Sequence, residues 1–178
     1  DLAGEIDLAR EGGSASRRSA ADAVVELPVP YVHQVYDAPQ WFDGGWSCGP
    51  TSMVMVLAYF GRLARNTIWV DHGAGNHATD FGYYIAETYS HEEACTGVAH
   101  SFSEAAPADG DGEGRGAHGQ CVDDEGYGWV YLMYRYADKH DVGHSYSVAT
   151  GAAGEAQVKR LLTTGSPVVV LRPGHFVV

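Results

Sequence analysis

The chain has 178 residues, 45% of them hydrophobic and 11% aromatic, which suits one globular domain with a real core rather than a disordered chain. Its 23 acidic against 11 basic side chains give a formal net charge of −12, a field that repels phosphate backbones and anionic membranes, so no nucleic-acid partner is expected. No apolar run approaches the roughly 20 residues needed to span a bilayer; no P-loop or dinucleotide fingerprint appears, and no cofactor is expected.

Residues 1–26, rich in Ala, Gly, Ser and charge, read as a tail or linker, and 27–178 as one domain. The N-terminus lacks the apolar stretch of a signal peptide and begins without Met. It therefore reads as a processed or trimmed chain, with an upstream targeting segment left open. Next, Val24, Val25, Leu27, Val29, Tyr31 and Val32 predict an extended segment, which Pro28 and Pro30 restrict to an edge.

The stretch "GWSCGPTSMVMVLAYFG" (45–61) predicts a helix. Pro50 suits the first turn, where its missing N–H is no loss, the apolar run continues to Phe60, and Gly61 supplies the stop. A helix this apolar on nearly all faces belongs in the middle of a domain. Further on, "TDFGYYIAETYS" (79–90) predicts a short helix capped by Thr79 or Asp80. "GWVYLMYRYADKH" (128–140) predicts an amphipathic helix with Trp129, Leu132, Met133 and Tyr136 on one face. Between them, about residues 103–126 form a Gly- and Asp-rich, acidic insertion without periodicity, read as a long loop.

After the insertion, "HSYSVATG" (144–151) predicts a strand and "EAQVKRLLTTG" (155–165) a helix that stops at Gly165. "SPVVVLRPGHFVV" (166–178) reads as two strands joined by a tight Arg172-Pro173-Gly174 turn. Helices followed by strands predict an α+β domain with segregated halves.

Chemistry gathers first at Cys48. A thiol at a helix N-terminus sits beside unpaired N–H groups and the positive end of the macrodipole, surroundings that suit a nucleophilic thiolate. Small neighbours Gly44, Gly45, Ser47 and Gly49 would let a substrate backbone approach the sulfur. Local sequence alone fits a buried structural cysteine equally well. Thiolate catalysis also needs a proton donor for the leaving group, usually a histidine brought in by the fold. Among nine histidines, His175 follows a Pro-Gly turn and opens a predicted strand, a rigid platform for an imidazole.

Three cysteines are an odd number. In an exported protein the economical arrangement bridges Cys95 to Cys121 and leaves Cys48 free; in a cytosolic one all three would be reduced. Export or the cell surface is the compartment favoured over the cytoplasm. His72 and His77, and the group His91, Glu92, Glu93 and Cys95, match no strong zinc spacing. "DGDGEG" resembles the start of a Ca²⁺ loop, but the twelfth position from Asp109 is Gln120 rather than Glu, so no metal site is expected.

Three blocks, "VPYVHQ", "WSCGPTSMVMVLAYFG" and "LLTTGSPVVVLRPGHFVV", taken in this order, resemble the signature blocks of papain-like cysteine peptidases. They are most similar to the bacterial peptidases that cleave double-glycine leader peptides. The resemblance implies a papain-like α+β fold, with a central cysteine-bearing helix packed on an antiparallel sheet that carries the histidine. It implies Cys48 as nucleophile, His175 as general base and acid, and Gln34 as a side-chain oxyanion donor beside the backbone N–H of Cys48. Gln40 is the alternative glutamine. Gly45, Trp46, Ser47 and Gly174 are the expected substrate contacts, and a peptide or protein is the expected substrate.

Relatives also carry an Asp or Asn on a strand beyond the histidine, whereas this sequence stops at Val178, three residues after His175. The expectation is then a fragment with a truncated sheet, a second chain or C-terminal segment that completes the site, or a Cys–His dyad. The functional alternatives are a non-catalytic peptide-binding domain on the same fold and a thiol amidase or transpeptidase.

Overall fold

The computed structural model of the protein describes residues 25–39, 42–72, 75–86, 116–122, 128, 130–145 and 148–178, together with the backbone alone at 89–92 and 99–102; at His72 and Gly75, too, the side chain is outside the description. In chain order the elements are α1 (Cys48–Tyr59), β1 (Ile68–His72), β2 (Gly75–Thr79), β3 (Tyr89–Glu92) and β4 (Ala99–Phe102). These are followed by α2 (Ala117–Cys121), α3 (Val130–Lys139), α4 (Gly151–Thr163), β5 (Val170–Arg172) and β6 (His175–Val177). Helices with small antiparallel sheets make this an α+β protein.

The apolar helix lies at the centre, as its composition requires. Nine of its residues, from Gly49 to Ala58, are buried, and Val54 and Leu57 have no exposed surface. Around it pack α2, α3 and β6, and the core joins Met53, Val54 and Leu57 to Cys121, Met133 and Tyr136. No side chain caps its N-terminus. Thr51 and Ser52 instead turn their hydroxyls back onto the carbonyls of Ser47 (2.6 Å) and Cys48 (2.9 Å), which satisfies polar groups in an otherwise apolar seat.

Three helices end alike. After α1, Arg62 N–H donates to Leu57 O (2.9 Å) and Gly61 N–H to Ala58 O (3.0 Å), with Gly61 at φ 67°. After α4 the same pair of bonds runs from Ser166 to Leu161 and from Gly165 to Leu162, with Gly165 at φ 77°. Asp141, at φ 54°, takes the left-handed position after α3. This closing motif satisfies the last carbonyls of each helix and needs one residue that tolerates positive φ.

The strands form three separate antiparallel hairpins, β1–β2, β3–β4 and β5–β6, rather than one continuous sheet among the described residues. Two of them fall between α1 and α2, so the expected order of helices before strands is corrected. In β5–β6, Arg172 pairs with His175 across a tight turn whose inner residues are Pro173 and Gly174. Gly174 has φ 73°, the geometry that places Pro second and Gly third in a type II turn.

Two predicted elements do not form. Residues 79–86 are not helical, because their backbone is bonded sideways to other segments. Asn66 N–H donates to Asp80 O (2.7 Å), and Gly82 N–H to Asn66 O (3.0 Å). Thr79 Oγ1 donates to Tyr31 O (3.0 Å), and Tyr83 sits at φ 68°, a conformation incompatible with a helix interior. The predicted strand at 144–151 is also absent at its described residues. His144 folds back onto α3, stacked on Tyr134 with centroids 4.1 Å apart and 3.0 Å from Asp138 Oδ1.

The extended segment before Gln34 makes no strand. Part of the supposed loop at 103–126 is instead core, with Ala117, Gln120 and Cys121 buried in α2; residues 103–115 and 123–126 lie outside the described residues, as does Trp129. No helix among the described residues is long and apolar enough to cross a membrane.

Leu57→Ala should destabilise the protein by about 2–5 kcal/mol, the range for a fully buried leucine whose site cannot collapse, read from urea unfolding midpoints. A second outcome concerns Tyr84, whose hydroxyl donates to Ala64 O (2.7 Å) and whose burial pushes its pKa from the usual 10.0 up to about 12. The folded state then holds this proton more tightly than the unfolded one, so stability present below pH 10 should fall as pH rises through 12. Tyr84→Phe should flatten that part of the stability profile.

Candidate active site

Cys48 is half-buried at the first residue of α1, directly after the fully buried Ser47. His175 is exposed at the first residue of β6. The two elements meet one residue along on each side. Gly49 lies against Phe176, where an added Cβ would come within 3.4 Å of the ring, and against the methyl end of Met133, where it would collide. A Cβ at position 49 would make Met133 turn its methyl end aside, so glycine suits the close approach of the helix start to β6 and α3. Among the described residues, Cys48 and His175 share no hydrogen bond. Apo sites often tighten such contacts only when substrate binds.

Gln34 belongs to the turn 33–37. Its Nε2 donates to the carbonyls of Gly45 (2.8 Å) and Gly44 (3.3 Å), which places the carboxamide on the loop that feeds directly into Cys48. Gly44 packs so tightly on the Gln34 backbone carbonyl that no Cβ fits there. Gln40, the alternative glutamine, lies outside the described residues.

The expected substrate contacts divide. Gly45 and Trp46 are exposed beside Cys48, Trp46 at 85%, and Gly174 is exposed in the β5–β6 turn. Ser47 has no exposed surface, and its hydroxyl lies 2.9 Å from His118 Nδ1 on α2. Its side chain therefore serves the seating of α2 on α1. His118, which also meets Phe42 edge to face at 5.0 Å, was hidden in a segment whose Gly content reads as loop.

Cys121 is a free thiol with no exposed surface, where the sequence suggested a half of a bridge; Cys95 lies outside the described residues. Burial pushes the Cys121 thiol pKa up. Among the described residues no group of three His, Cys, Asp or Glu side chains is placed to hold a metal ion. An apolar cavity of about 380 Å³ opens beside the same seam, with Met53, Met133, Val170, Leu171 and Phe176 in its wall.

Short treatment of the native protein with iodoacetamide, followed by peptide mapping, should modify Cys48 and leave Cys121 intact until denaturant is added. Early modification of Cys121 would show that α2 does not stay seated on the core.

No curated protein and no solved structure matches this chain. The family comparison does return a match, to the Peptidase_C39 like family over residues 26–178. That span runs from the segment before Gln34 through α1 to the β5–β6 hairpin, so it takes in every element of the site just described, and the chain belongs to the Peptidase_C39 like family.

Proposed function

We propose that the protein is a papain-like cysteine peptidase that hydrolyses peptide bonds through a thioester. The observation that carries this reading is the seam at Gly49 and Phe176. It joins the helix start bearing Cys48 to the strand bearing His175, while Gln34 is tied to the loop entering that helix. Membership of a peptidase-like family supports the same reading.

In the proposed reaction, Cys48 Sγ attacks the scissile carbonyl carbon and His175 accepts the thiol proton. The carbonyl oxygen becomes an oxyanion that faces two donors: the Cys48 backbone N–H, one of the four without an intrahelical acceptor, and the Gln34 carboxamide, which exchanges its longer bond to Gly44 O (3.3 Å) for the oxyanion and keeps the one to Gly45 O. The tetrahedral intermediate collapses as the C–N bond breaks, and His175 gives its proton to the departing amine. Water, deprotonated by His175, then attacks the thioester, releasing the acid and restoring the thiol. Among the described residues no carboxylate or amide side chain is hydrogen-bonded to His175, and the proposed steps use Cys48 and His175 alone.

The exposure of His175 and its lack of a hydrogen bond to Cys48 favour one rival, a domain that binds peptides without cleaving them. A peptide mixture analysed by mass spectrometry separates the two. Cleavage that disappears in Cys48→Ala supports the peptidase, whereas peptide retention without cleavage by the wild-type chain supports the rival. Gln34→Ala should lower kcat about 10²–10³-fold, the usual effect of losing one oxyanion donor. A Gln34→Ala enzyme with unchanged kcat would remove Gln34 from the proposed oxyanion site.

A further inference from the structure

A second polar cluster lies behind Gln34. Asp37 has no exposed surface, yet its carboxylate is buried in full. Its Oδ2 accepts the His33 backbone N–H at 2.6 Å and lies 2.9 Å from His77 Nε2; Oδ1 is buried without a hydrogen bond. A carboxylate in this setting carries a large desolvation cost unless it is paired. His77, reaching over from β2, is its side-chain partner.

The same cluster grips the peptide groups on either side of Gln34. On the N-terminal side, the His33 N–H is held by Asp37. On the C-terminal side, His33 Nδ1 accepts the N–H groups of Val35 and Tyr36, both at 3.1 Å, so the neutral ring carries its proton on Nε2. Stacking on Tyr36, with centroids 4.1 Å apart and planes 19° from parallel, fixes the His33 ring. The turn closes through Asp37 N–H to His33 O (3.1 Å), and Asp37 O accepts from Tyr83 N–H (2.7 Å).

We infer that Asp37 and His77 are positioning residues that hold the turn presenting the Gln34 carboxamide. Neither touches substrate; both act through Gln34. If His77 no longer donates, the buried carboxylate keeps only the His33 N–H, and the turn must open to hydrate it. Gln34 then moves off Gly44 and Gly45, and a displacement of about 1 Å at a catalytic group can cost about 10²-fold in rate. The functional half of this inference rests on the peptidase reading. The structural half does not.

The test uses the full chain with ¹⁵N labelling and a peptide cleaved by the wild-type protein. His77→Phe keeps the edge-to-face contact with Tyr31, now 5.4 Å between centroids, and removes the donor. The Gln34 side-chain amide signals, assigned by their loss in Gln34→Ala, should shift to the positions of a free carboxamide in His77→Phe and return in His77→Gln. With that shift, kcat should fall about 10²-fold while KM stays within about twofold, and His77→Phe should cost nothing further in a Gln34→Ala background. Asp37→Asn supplies the same comparison if His77→Phe does not fold. Unchanged Gln34 signals in a folded variant, or kcat losses that multiply in the double mutant, would overturn the inference. A wild-type chain that cleaves nothing would sink the peptidase reading alone, because the amide signals still decide the positioning claim.

Discussion

Burial of α1 constrains the rest of this molecule. The helix carries no charged residue from Cys48 to Tyr59, so it cannot present a face to water without exposing a large apolar area, at about 25 cal/mol per Å². Covering it takes elements from distant parts of the chain: α2, α3 and the β6 strand. Once they are in place, the N-terminal turn of the helix is held against α3 and β6, with Gly49 packed on Met133 and Phe176. The nucleophile candidate is therefore placed by core packing, and the histidine candidate by the strand that completes the core.

The polar groups near Cys48 follow from the same constraint. Ser47 occupies the capping position of α1, but its hydroxyl is hydrogen-bonded with His118 rather than with the helix's own N–H groups. This leaves the first-turn amides of the helix without a side-chain acceptor, the condition an anionic intermediate can exploit. On the other side of the loop, Gln34 is fastened to two glycine carbonyls. One short loop thus receives a side chain from each direction, and Cys48 stands where it ends.

Much of this could be read in the sequence wherever a local signal and the tertiary context agreed. The α1 and α4 helices, their glycine stops at Gly61 and Gly165, and the Pro173-Gly174 hairpin all follow from short-range rules. The third helix stop was invisible because Asp141 takes the left-handed position usually held by glycine. The stretch after Thr79 misled for a different reason. Its composition suits a helix, but Asn66 and Tyr31 capture its polar groups from far along the chain. The β1–β2 hairpin was missed because only one strand looks like one: Ile68 and Val70 alternate with exposed Trp69, whereas "GNHAT" holds one β-former, Thr79. At the candidate site, Cys48, His175 and Gln34 are proposed from three blocks that resemble the family's. Asp37, His77 and His118 were not legible there, since each acquires its partner only through folding.

The helix α4 differs from α1 in having no fully buried residue. Its outward side carries the Lys159–Glu155 pair, both exposed, and its apolar residues Val158 and Leu161 only line the open cavity beside Met53 and Phe176. Local opening costs least where apolar contact is sparse. Amide hydrogens in α4 should therefore exchange with solvent through small, frequent openings, while those in the middle of α1 exchange only when the whole domain comes apart. Burial is thus graded across the molecule, deep along the helix that begins at Cys48 and shallow along the α4 wall of the neighbouring cavity.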